Sequence, residues 1–138
     1  MPHFTIEYSS NLDRKVDVRA LCRRVLSEIL ATGLFEPGAV RVRAIRCEHY
    51  AIADDLAENA FIDMSFRVGT GRSADERKRA GEAIFAAVAD ELRVLFETPH
   101  VALSLEVREI DPALSWRKNA MHPRLRQGGP GHHPAGNR

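Results

Sequence analysis

The sequence predicts an α+β fold in two layers, with tandem β-α-β units building a four-stranded sheet that carries two helices on one face. Two observations predict it. The order strand, helix, strand occurs twice within 138 residues, and each helix has one apolar stripe that calls for a single covering surface. Two units of about 60 residues imply duplication of one structural element. Right-handed crossovers make each strand pair parallel and place both helices on the same side of the sheet.

In the first unit Phe4, Ile6 and Tyr8 alternate with His3, Thr5 and Glu7, the period of a half-buried strand. A turn-like stretch, Ser9-Ser10-Asn11-Leu12-Asp13, precedes a helix whose stripe is Val18, Leu21, Cys22, Val25, Leu26, Ile29 and Leu30. Gly33 is its expected stop. After Pro37-Gly38, Val40, Val42 and Ala44 alternate with Arg41 and Arg43 as a second strand. In the second unit Ile62, Met64, Phe66 and Val68 mark a strand ending at Gly69-Thr70-Gly71. Ser73 and Glu76 have capping-box spacing at the head of a helix. Its stripe runs through Ile84, Val88, Leu92, Leu95 and Phe96, and Pro99 prevents continuation. Val101, Leu103, Leu105 and Val107 form the last strand. The expected organisation is one domain over 1–126, its repeats at about 1–60 and 61–122, and a disordered tail over 127–138. A sheet covered on one side must hide the other, which points to oligomerisation around a closed symmetry axis.

Composition narrows the function classes. A 44% apolar content supports a core, and a formal net charge of +1 gives no overall attraction to nucleic acid or membrane. Acidic residues balance the arginines and aromatics are few, against a nucleic-acid partner. No apolar run approaches the roughly 20 residues of a membrane span, and Glu7 with the polar residues after it interrupts any secretory signal. Cys22 and Cys47 lack metal-ligand spacing and are read as free thiols of a reducing, cytoplasmic compartment. No metal is expected.

The candidate chemistry begins at Pro2. A small second residue generally permits removal of Met1, which leaves a secondary amine. Free α-amino groups titrate near 8, and burial beside cations lowers that value. A base poised near neutrality can take a proton from one atom and return it to another. Many proteins begin Met-Pro without using the amine, but here Pro2 directly starts a strand. Arg41 and Arg43, two apart on a strand, share a face and form a carboxylate site or a solvated surface. Arg72 follows Gly69-Thr70-Gly71 at a strand-to-helix junction, where its guanidinium and backbone N–H groups can hold an anion, or where a plain helix entry suffices. Walker spacing and its lysine are absent there. His3 and His49 are lone histidines, and His132 and His133 lie in the tail. Tyr50 and Trp116 are packing residues or pocket walls. Glu7, Asp63 and Glu106 are polar strand positions.

Taken together, these residues resemble the tautomerase superfamily. The match is carried by the Met-Pro-His-Phe start, Ala31-Thr32-Gly33-Leu34-Phe35, Ala39-Val40-Arg41-Val42, Gly71-Arg72-Ser73 and Ala102-Leu103-Ser104, over about residues 1–122. The resemblance implies a tautomerase-like, trimeric fold and a cofactor-independent isomerase of unsaturated 2-hydroxymuconate-type di- or tricarboxylates in aromatic-acid (homoprotocatechuate) catabolism. It implies Pro2 as general acid/base and Arg41 and Arg72 as substrate-binding residues, with Arg43, Tyr50 and Trp116 as further candidates. Leu12 stands where Arg72 stands in the repeat, so one site per protomer is expected, completed by neighbouring subunits. Two alternatives stay open: another proline-based reaction, such as hydration, dehalogenation or decarboxylation, and a non-catalytic anion-binding assembly module.

Overall fold

The structure is a computed structural model, and it describes residues 1–128. Its elements follow the expected double order: β1 (His3–Ser9), α1 (Val18–Ala31), β2 (Arg41–Cys47), β3 (Ala60–Val68), α2 (Ala74–Glu91) and β4 (Val101–Glu109), followed by α3 (Met121–Gly128). The sheet order is β2-β1-β3-β4. Each outer pair is parallel, as a β-α-β crossover requires, and the two units meet antiparallel at β1 and β3. The two halves are therefore related by an approximate two-fold axis between the central strands.

Alternation along the strands decides which residues form the core. Phe4, Ile6, Ile62, Met64, Phe66 and Val68 are nearly inaccessible and face Leu21, Val25 and Ile29 of α1 and Ile84 and Val88 of α2. Phe66 has Phe4 on one side and Phe35 on the other, each ring centroid 5.4 Å away. Asp17 caps α1 through the Ala20 N–H, and Gly33, at φ +70°, takes the left-handed conformation that stops it. Ser73 and Glu76 form the full capping box at α2. Arg24 ties the helices together by pairing with Glu28 on α1 and Glu91 on α2.

Two elements depart from expectation. The α2 stripe continues to Leu95 in sequence, but the helix ends at Glu91 and tightens into a 3-10 helix, Arg93–Glu97. The tighter winding still delivers Leu92 and Leu95 to the core, while Phe96 turns out toward solvent. Helix α3 was not anticipated, and the tail expected over 127–138 starts inside it. Residues 129–138, with His132 and His133, lie outside the described residues.

The opposite face of the sheet carries the remaining side chains of each strand. In register, Arg41, His3, Arg67 and Arg108 form one row across all four strands. Glu7 and Asp63 face each other near the other end, where Ser104 donates to Asp63 at 2.6 Å. Cys22 and Cys47 are free thiols. Among the described residues no helix is long and apolar enough to cross a membrane, and no group of three or more His, Cys, Asp and Glu could hold a metal ion.

Candidate active site

Because β1 starts at His3 and β3 ends at Val68, the antiparallel register brings the chain terminus beside the turn that leads into α2. Pro2 is buried, and its carbonyl accepts from the Arg41 N–H at 3.1 Å, so the terminus is fastened to β2 before the strand proper begins. A Cβ placed on Gly69 would lie 3.8 Å from the Met1 nitrogen and 4.0 Å from Arg72 Nη1. The amine, the turn and Arg72 thus share one small volume. They line a pocket of about 370 Å³ together with Glu36, Arg117, His122 and Arg126.

Arg72 is held in place from three sides. Its Nε and Nη2 donate to the Leu34 carbonyl at 3.2 and 3.0 Å, and Nη1 donates to the Gly69 carbonyl at 3.2 Å. Its guanidinium carbon sits 4.3 Å above the centre of the Phe35 ring. Three of five N–H groups are used by the fold, and two remain for an anion. Phe35 in turn rests on Phe66, so a core contact fixes the cation.

The electrostatics suit a neutral amine. Burial first, then Arg117, Arg72, Arg67 and Arg41, hold the terminal ammonium below the ordinary α-amino value. Each added positive charge nearby favours loss of its proton. His3 is lowered by burial and then by Arg67 and Arg43, and so stays uncharged more readily than a free imidazole.

One wall comes from the C-terminal helix. Gly38, in the 3-10 helix Pro37–Ala39, receives α3 at close range: a Cβ there would come within 2.9 Å of His122 Nδ1 and 3.3 Å of the His122 backbone nitrogen. Asn119 donates to the Gly38 carbonyl at 2.8 Å and accepts from the Met121 N–H, capping the helix while anchoring it. Arg126 grips Glu36 with Nε and Nη2, and His122 Nδ1 lies 3.4 Å from the same carboxylate. Arg126 holds Glu36 below the usual carboxylate range.

Of the residues singled out in the sequence, Pro2 and Arg72 come together. Arg41 flanks them, with Nη1 donating to the Gly38 and Val40 carbonyls at 2.8 and 3.2 Å. Trp116, largely exposed, lines an adjoining hollow with Met1, His3 and Arg67. Arg43 is not in the pocket; its Nη1 lies 3.1 Å from His3 Nδ1 on the open face. Tyr50 packs edge-on against Phe61 at the far end of the sheet. His49 is exposed. The sequence reading missed Arg67, Arg117, His122 and Arg126. Strand alternation puts Arg67 on the face of Arg41 and was a usable signal; the other three depend on where an irregular segment folds back.

The opposite end of the sheet, related to the first by the two-fold axis, carries a second hollow, of about 680 Å³, in which Leu12 and Ala60 occupy the places held by Arg72 and the chain start at the first. Leu92, Leu95 and Val101 make it largely apolar. Lys15 and His100 also line it, but no arginine does.

The family described as 5-carboxymethyl-2-hydroxymuconate isomerase matches residues 2–125. The chain belongs to this family. The 5-carboxymethyl-2-hydroxymuconate Delta-isomerase of Escherichia coli is 33% identical over 122 residues, covering 88% of this chain and 97% of the relative. A solved 5-carboxymethyl-2-hydroxymuconate isomerase from Deinococcus radiodurans R1 is 34% identical, with a TM-score of 0.84 over 90% of this chain and 93% of the other. A fused 4-OT solved as a symmetric trimer shares the fold alone, at 12% identity and a TM-score of 0.58 over 84% of this chain and 93% of its own. Family membership makes the chain an isomerase, and the fold is of the tautomerase type anticipated from the resemblance.

Proposed function

We propose that this isomerase converts 5-carboxymethyl-2-hydroxymuconate, or a closely related dienol, to its 2-oxo isomer, with the Pro2 amine as general acid/base. The observation that carries the reading is the chain start, buried beside Arg72 in a pocket whose cations favour a neutral amine. Removal of Met1 places a secondary amine in these surroundings. That amine accepts the proton of the 2-hydroxyl as the double bonds shift, and returns it to the distal carbon. The product is an unsaturated ketone, and no redox change or cofactor enters the balance. Arg72 and Arg41 bind carboxylates and stabilise charge developing on the 2-oxygen. General acid/base work of this kind contributes typically 10²–10⁴-fold, and the fixed guanidinium of Arg72 adds positioning.

Part of the reading is a homotrimer in the cytoplasm. The open sheet face, with its cationic row and its acidic pair, offers charges that neighbouring copies can match, and a fold relative was solved as a symmetric trimer. Neighbouring subunits then bring Arg41, Arg43, Tyr50 and Trp116 within reach of shared pockets. The test is an intact mass with a dienol-to-ketone assay on wild type and Pro2→Ala, on material sized by light scattering. Loss of Met1, with turnover falling at least about 100-fold in the variant, supports the proline mechanism. Retained Met1, or full activity without Pro2, would overturn it in favour of a binding module.

A further inference from the structure

The proposed substrate carries three carboxylates, and two arginines have been assigned to them. Three arginines line the pocket at the chain start: Arg72, Arg117 and Arg126. Arg126 is already neutralised by Glu36. Arg72 is fixed by the Leu34 and Gly69 carbonyls and keeps two N–H groups, one on each terminal nitrogen. Arg117 differs from both. It is exposed, on the irregular segment between the 3-10 helix Pro112–Leu114 and α3, with no hydrogen-bond or ion-pair partner among the described residues.

Its position is equally distinctive. Arg117 lines the amine pocket and also the adjoining hollow formed by His3, Arg67, Leu114 and Trp116, and it is the one charged side chain the two share. It is also the largest single charge acting on the terminal amine. A substrate held at the amine and Arg72 therefore has one further unpaired guanidinium in the wall of the same pocket, beside the second hollow.

We propose that Arg117 is a specificity-determining residue that binds the carboxylate of the carboxymethyl arm, distinguishing tricarboxylate from dicarboxylate dienols. This rests on the isomerase reading of the site. A charge-assisted hydrogen bond made only to that arm changes affinity for the substrate that has it and leaves the shorter substrate alone.

The experiment compares wild type, Arg117→Ala and Arg117→Lys on 5-carboxymethyl-2-hydroxymuconate and on 2-hydroxymuconate, which lacks the arm. Assayed above the amine's pH limb, where the amine is neutral in every variant, the alanine variant is expected to raise KM for the tricarboxylate about 10- to 100-fold, and to change the dicarboxylate parameters by less than about three-fold. Lysine, which keeps the charge but not the fork, should recover part of the loss. Equal losses on both substrates would mean Arg117 serves the amine or the fold, and no loss on either would remove it from the site; both overturn the proposal. A wild type inactive on both dienols would instead overturn the isomerase reading underneath, so the two failures are distinguishable.

Discussion

Replacing Gly38 with alanine tests whether α3 is a docked wall of the pocket. The added Cβ would meet His122 Nδ1 at 2.9 Å, the His122 backbone nitrogen at 3.3 Å and Leu125 Cδ1 at 3.3 Å. The imidazole and the leucine can swing aside, but the backbone nitrogen moves only if the helix does. Overpacking of this kind costs about 1–3 kcal/mol. The restriction alanine places on the unfolded chain does not offset this, because residue 38 stays folded whether or not α3 docks. The cost falls on a helix whose anchors include the Asn119 hydrogen bond and an exposed ion pair with Glu36 that solvent weakens. A shift of that size changes the docked-to-undocked ratio about 5- to 150-fold. Hydrogen exchange should therefore accelerate over 119–128, and KM for the dienol should rise, because His122, Arg126 and Glu36 lose their mutual arrangement. The melting temperature should move little, since the sheet and its two helices keep their core. Unchanged exchange with unchanged kinetics would refute the reasoning. A large fall in melting temperature would refute it differently, by making α3 part of the cooperative core.

Two further outcomes follow from the site. The Met1 ammonium is held down by Arg117, Arg72, Arg67 and Arg41, and the Pro2 amine freed by removal of Met1 stands among these arginines and His3, with Glu36, His122 and Arg126 lining the same pocket. Catalysis uses the neutral form, so kcat/KM should rise with pH along a limb below the ordinary value near 8. Arg67→Gln, in the adjoining hollow rather than the amine pocket, removes one of these charges and should move that limb upward by a few tenths of a pH unit; a limb that stays put would exclude the electrostatic account. Phe35→Leu keeps an apolar group of similar size against Phe66, at less than about 1.5 kcal/mol in stability. It removes the ring beneath Arg72, so KM should rise several-fold in steady-state assays, whereas wild-type KM would show that the two carbonyls alone hold the guanidinium.

The fold was legible in the sequence because its signals are local and periodic. The stripe from Leu21 to Ile29 and the alternation from Ile62 to Val68 each name their own buried face, and Ser73 with Glu76 announces a helix start. Pro2 and Arg72 were legible because each stands at a strand end, where chain order alone decides proximity. What escaped depends on distant contacts. Met121 to Gly128 is short and contains Pro123, and its docking depends on the absence of a side chain at Gly38, more than 80 positions earlier. Arg117 sits on a segment with no repeating pattern at all. The end of α2 was misplaced for a related reason: its apolar spacing continues into a 3-10 helix, which spacing alone does not separate from an α-helix.

The two-fold relation between the halves carries a consequence for how such a chain can change. Were the halves separate, identical molecules, every substitution would appear at both ends of the sheet at once, and a residue that improved one pocket would be imposed on the other. Joining them removes that constraint. Under the proline mechanism proposed above, the second half has no free amine, so Leu12 in the place of Arg72 costs it nothing there. On that reading substitutions at the Leu12 end answer to packing alone, while those at the Arg72 end answer to the reaction.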